Sequence, residues 1–191
     1  MHRRLVTTAA LVLACATALS PARADEFTDV LQSALKAYGE GDIKVAGEEL
    51  DYASKLLSGM KAAALGKYLP PAPAGWTRED AADSEGAGMA MAMFGGGTTA
   101  AATYRKGDTD MTLTLVANSA MASGLGAMLT GLAGAGGTKP LRIQRTEFAL
   151  NEGELQGVVD SKILVSVSGS ATVEDKTALI EAMDLRALAA F

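Results

Sequence analysis

One histidine and one cysteine occur in the 191 residues, His2 and Cys15, and both fall in an N-terminal stretch that reads as a removable export signal. The mature chain expected from that signal carries neither. Imidazole base catalysis, a thiolate nucleophile, a disulfide and a Cys/His zinc site are excluded with them. Positive charge is also scarce. Removing Arg3, Arg4 and Arg23 leaves 14 basic against 22 acidic residues, so the formal charge moves from −5 to −8. Nucleic acid demands a basic footprint, and an acidic chain with 5 % aromatics does not supply one.

What the N-terminus does contain is a basic n-region, an apolar run over residues 5–19, a helix-breaking Ser20-Pro21 and then Ala22-Arg23-Ala24. Small residues at Ala22 and Ala24 fit a signal peptidase, which places the cut after Ala24. The apolar run is shorter than the roughly 20 residues of a membrane-spanning helix. Periplasmic export is the expectation, with secretion as one alternative. A lipoprotein signal ending Val12-Leu13-Ala14-Cys15, anchored through Cys15, is another. No later apolar stretch is long enough to span a bilayer. About 167 mature residues suffice for one domain that folds without cofactor or staple.

The mature chain divides by pattern. Residues 25–38 place Phe27, Val30, Leu31, Leu35 and Tyr38 at helical spacing, and Gly39-Glu40-Gly41 breaks the run. Asp42 can cap a second helix reaching toward Leu69, with Ile43, Val45, Ala46, Leu50, Ala53, Leu56 and Leu57 as its apolar side. A helical hairpin over residues 25–69 follows. Its turn and its small residues resemble one tetratricopeptide unit, but an array needs about three repeats. The proline-rich residues 70–76 form a connector ending in the only tryptophan, Trp76. Residues 77–191 form an α+β domain, and the whole mature chain is expected to fold as one compact unit. Thr77 and Asp80 have capping-box-like spacing and predict a helix start.

Beyond them the chain alternates with period two. Strands are predicted over residues 98–105, 110–117, 141–150, 154–160 and 162–168, with turns at Lys106-Gly107-Asp108, Asn151-Glu152-Gly153 and Asp160-Ser161-Lys162. A Gly-broken helical insertion is predicted over residues 121–132. A last helix from Thr172 or Val173 carries Leu179, Ile180, Met183, Leu185 and Leu188. The fold class is α+β: an N-terminal helical hairpin, an antiparallel meander with a helical insertion, and a C-terminal helix packed on the sheet. This layout, with the Pro-Gly-Trp connector and the Asp184-Leu185-x-x-Leu188 ending, resembles small exported bacterial proteins of unassigned function. It is more distantly similar to the α/β/α sandwich of the Mog1 and PsbP group. The resemblance covers the C-terminal two thirds in element order and implies no catalytic residue and no ligand.

Few side chains propose chemistry. GLAGAGGTK at residues 131–139 puts Gly137 where a phosphate-binding loop needs lysine, which excludes that reading. Gly95-Gly96-Gly97 lacks the strand-to-helix context of a nucleotide site. Asp80, Asp83 and Glu85 do not match a calcium loop. Ser166, Ser168 and Ser170 alternate as on a wet strand face. Paired carboxylates at Asp108 and Asp110, or Glu152 and Glu154, could divide acid and base roles, but they stand at hairpin tips. Met89, Met91 and Met93 alternate, so an extended chain gathers three thioethers on one face able to take Cu(I). Flexible packing or docking is the competing use of those methionines. The leading expectation is a non-enzymatic periplasmic binding or accessory protein with no cofactor. It would act on an envelope protein or component, and the alternative is a Cu(I)-binding periplasmic protein.

Overall fold

The computed structural model describes residues 22–81, 97–118 and 140–191. They fall into two compact units, one ending at Ser54 and one running from Lys55 to Phe191. In the first, helix α1 (Ala22–Gly39) is followed by α2 (Ile43–Gly66), which runs on into the second. The turn between them is held by Glu40 N–H on the Lys36 carbonyl, by Asp42 N–H on the Ala37 carbonyl, and by Gly41 at φ +86°. Asp42 Oδ1 accepts from Val45 N at 3.1 Å, the capping role its position predicts.

The second unit is built on seven antiparallel strands: β1 (Thr77–Asp80), β2 (Thr98–Lys106), β3 (Thr109–Ala117), β4 (Leu141–Ile143), β5 (Thr146–Asn151), β6 (Glu154–Val159) and β7 (Ile163–Ser168). Their spatial order is β1-β2-β3-β7-β6-β5-β4. Two meanders therefore meet where β3 pairs with β7, Leu113 opposite Val167 and Leu115 opposite Val165. The predicted helical insertion lies outside the described residues. Helices α3 (Val173–Glu181) and α4 (Leu185–Ala189) close one face, with α3 against β4 and β6 and α4 against β6.

Alternation along the strands decides what that face buries. Met111, Leu113 and Leu115 of β3, Val165 and Val167 of β7, Leu155 of β6 and Phe148 of β5 are fully buried with Leu179, Ile180 and Leu188 from the closing helices. Each fully buried side chain of this size contributes about 1.5–3 kcal/mol of transfer free energy. On the opposite face β2, β3, β6 and β7 carry Thr103, Thr112, Thr114, Gln156 and Ser166, while Val116 and Leu164 form a separate buried pair.

Three local expectations are corrected. Thr77 to Asp80 is an edge strand instead of a helix start. Arg78 clasps Asp80 (Nε to Oδ1, 2.6 Å) and its Nη1 donates to the Leu69 and Pro70 carbonyls, both at 3.0 Å, which holds the chain extended after the prolines. Residues 141–150 are two strands split at Gln144 and Arg145, both at positive φ. That conformation costs non-glycine residues about 1–2 kcal/mol each. Gln144 offsets it by donating from Nε2 to the Glu181 and Met183 carbonyls at 2.9 and 2.7 Å, and by accepting from Leu185 N. The predicted final helix is two helices, because Asp184 turns its carboxylate onto the Arg186 and Ala187 amides and caps a new start.

Tyr104 pins the connector. Its ring is fully buried, and its hydroxyl donates to the Pro70 carbonyl at 2.7 Å. Burial pushes the phenol up to about 12. The free value is 10, so the folded state holds this proton more tightly than the unfolded state does. The resulting stability is fully present below pH 10 and is lost as pH rises from 10 toward 12. The thermal midpoint should therefore fall more steeply over this interval in the native protein than in Tyr104→Phe. The variant itself should lose about 1 kcal/mol at neutral pH with the missing hydrogen bond. Parallel alkaline melting curves for the two proteins would contradict this account.

Candidate functional site

Several polar side chains of the sheet unit have structural roles, while the buried Thr99 hydroxyl has no hydrogen-bond partner among the described residues. Ser166 donates to Glu154 Oε1, which also accepts from Gln156 Nε2 at 2.9 Å. Ser170 Oγ donates to Asp110 Oδ1 at 2.6 Å, and this bond with the Ser170 amide holds the Asp110 carboxyl below its usual range. Asp108 and Glu152 sit in exposed turns. The carboxylate pairs weighed from sequence are thus divided, one member of each engaged by a serine. Lys176 is buried, and its ammonium donates to the Gly153 and Gly169 carbonyls at 2.6 and 2.7 Å, tying α3 to two turns. Among the described residues no three or more histidine, cysteine or acidic side chains are grouped to hold a metal ion.

Met89, Met91 and Met93 lie outside the described residues, as do Asp83, Glu85 and the 131–139 loop. The Cu(I) alternative therefore rests on the spacing of those methionines. Ala22 and Ala24 fall in the first turn of α1, where backbone N–H groups have no intrahelical acceptor. Among the described residues no helix is long and apolar enough to cross a membrane.

Among the described residues, the chain up to Ser54 carries most of the large apolar side chains left in solvent. Up to Ser54 its buried residues are alanines, Ala34 and Ala37 on α1 and Ala46 and Ala53 on α2; farther along α2, within the second unit, Leu65 is fully buried. Phe27, Val30 and Leu31 are half-buried beside them. Large apolar residues expected in the core are instead in solvent, with Leu35 71 % exposed, Tyr38 67 %, Ile43 63 % and Leu50 54 %. Around that alanine seam Leu35, Tyr38, Ile43 and Leu50 are left uncovered. Exposed groups of this kind, grouped together, mark interaction surfaces.

The two sides of the seam differ. With 100° between successive residues, Tyr38 and Leu35 lie on the same side of the alanine seam as Ile43 and Leu50. The other side is laced by hydrogen bonds from Ser33 Oγ to Glu49 Oε1 at 3.0 Å and from Tyr52 Oη to Glu26 Oε1 at 2.7 Å. The Glu26 carboxylate raises the Tyr52 phenol above its ordinary value through that bond. One flank is tied by these hydrogen bonds, with Val45 exposed beside them; the other is apolar and open.

No protein-family model matches the chain, and neither the curated proteins nor the solved structures compared with it provide a match.

Proposed function

We propose that this is a non-enzymatic periplasmic binding or accessory protein that engages an envelope protein or component through its N-terminal helical hairpin. The observation that carries the reading is the inverted burial of the hairpin up to Ser54, alanines inside and Leu35, Tyr38, Ile43 and Leu50 outside. A helix pair that only supported the fold would turn its largest apolar residues inward. The sheet unit has its own core, and Ser170 and Lys176 hold its turns and strand ends together. Its role in this reading is that of a stable carrier. Export follows from the Arg3-Arg4, apolar and Ala22-x-Ala24 sequence.

The test is crosslinking capture from envelope extracts with the mature protein and with a Leu35→Gln/Ile43→Gln/Leu50→Gln variant. Glutamine keeps helix propensity, and exposed substitutions of this type change stability by about 0.5 kcal/mol or less each. Unchanged circular dichroism together with loss of the captured species is the expected result. Capture of the same species in the same yield by the variant would remove the hairpin from the function.

A further inference from the structure

The surface also carries information about the chemistry of its occupant. Between Asp25 and Ser54 the chain has eight acidic residues and two basic ones, Lys36 and Lys44, a net −6 of the −8 expected for the mature protein. Lys44 is already paired with Glu48 at 3.7 Å. Glu40 and Asp42 in the turn stand between Tyr38 and Ile43, and Asp51 follows Leu50; Lys36 follows Leu35 and Lys44 follows Ile43, so the acids outnumber but do not replace the bases beside the apolar residues, and beyond Ser54 α2 carries Lys55 and Lys61. The described part of the sheet unit has no such imbalance: Arg78 and Arg105 are paired with Asp80 and Glu79, and Lys162 with Asp160.

We propose that the open flank of the hairpin, formed by Leu35, Tyr38, Ile43 and Leu50 within an acidic surround, is a docking site for a cationic amphipathic helix of a partner protein. The inference rests on the hairpin reading above and names the class of partner. Two antiparallel helices with one open apolar flank leave room for a third helix laid along them, the helix-in-groove mode. Its apolar face would cover the four exposed side chains. Its Lys or Arg residues would meet Glu40, Asp42 and Asp51, which steers encounter and selects against acidic partners. Ile43 and Leu50 are seven residues apart, about 10 Å along α2, so a partner helix of about three turns covers the flank. Charge argues against the other occupants. A second copy would bring together two segments that each carry a net −6 over residues 25–54. An anionic lipid surface attracts basic segments and repels this one.

The probes are three fluorescein-labelled 14-residue peptides with the same leucine stripe and with Lys, Gln or Glu at every other position, titrated into the full mature protein by anisotropy. The Lys peptide should bind at least about tenfold more tightly than the Gln peptide, the Glu peptide should not bind, and raising salt well beyond physiological strength should remove most of the advantage. Leu35→Gln/Ile43→Gln/Leu50→Gln should lose about tenfold or more for the Lys peptide, and Glu40→Gln/Asp42→Asn/Asp51→Asn should bring Lys and Gln peptides together. Equal binding of all three peptides overturns the proposal, as does Lys-peptide binding that survives the triple glutamine change. So would a concentration-dependent dimer in sedimentation that Leu50→Gln abolishes, or binding to phosphatidylglycerol vesicles that requires the same residues. If envelope capture depends on the hairpin while the Lys peptide has no advantage, the cationic class fails and the hairpin reading stands. If capture ignores the hairpin, the reading itself fails.

Discussion

Gly169→Ala should cost about 3 kcal/mol or more, enough to lower the thermal midpoint by roughly 10 °C in a protein of this size. Gly169 follows β7 at φ +108°, a conformation that L side chains rarely adopt. A Cβ there would stand 2.6 Å from the Asp110 carbonyl oxygen and 2.8 Å from the Met111 Cα, both backbone atoms in β3. Neither can move alone. The Asp110 carbonyl accepts from Ala171 N at 2.9 Å, and the Gly169 carbonyl accepts the buried Lys176 ammonium. Relief of the clash would therefore disturb the turn, the β3 end and the anchor of α3 together. Gly107→Ala is the control, because Gly107 also has positive φ (+59°) but its Cβ meets nothing within 4 Å. That change should cost about 1 kcal/mol. Urea midpoints at unchanged slope give both values. Equal losses in the two variants would show that the close approach of β3 and the β7 end contributes nothing.

The second large effect is expected at Phe148→Ala, about 3–5 kcal/mol. Phe148 is fully buried, pairs across strands with Gly157, and lays its ring over that glycine. A Cβ on Gly157 would approach Phe148 Cδ1 to 2.6 Å and the Glu147 carbonyl to 2.9 Å. The ring thus fills the space that glycine leaves, and each residue is the reason for the other. Gly157→Ala alone should destabilise by about 1–3 kcal/mol through overpacking. In the double variant the methyl enters part of the vacated volume, so the combined loss should be smaller than the sum of the single losses. Strict additivity, measured by denaturant unfolding of all four proteins, would contradict this pairing.

Those two contacts also show where the sequence was readable. Strict alternation through Met111, Leu113 and Leu115 marked both the β3 strand and its buried face, and the Asn151-Glu152-Gly153 and Asp160-Ser161-Lys162 signals placed their turns. The β4–β5 turn was not visible, because Gln144 and Arg145 are poor turn residues by themselves. Their conformation is maintained by hydrogen bonds to the α3–α4 joint some 37–41 residues away. Strand β1 was hidden for a related reason. Thr-Arg-Glu-Asp has no apolar alternation, and what extends it is the grip of Arg78 on the connector carbonyls together with pairing to β2. The order of the sheet depends on β3 meeting β7, a contact between segments about fifty residues apart that no local pattern encodes.

For the candidate site, sequence periodicity correctly marked two helices but not which part of a wide apolar arc would be covered. On α2 the arc runs through Ile43, Ala46, Leu50 and Ala53, and helical spacing alone treats these as one side. The structure separates them, with Ala46 and Ala53 buried and Ile43 and Leu50 open. The proposed function depends on that separation.

Site-specific photocrosslinking in intact cells tests it most directly. A benzoylphenylalanine placed at Leu35 or at Leu50 should capture the same envelope partner, since both positions lie on the open flank. The same probe at Arg142, exposed on the β4 edge strand, should capture none. Capture from Arg142 with none from Leu35 or Leu50 would contradict the account and move the interaction surface to the sheet.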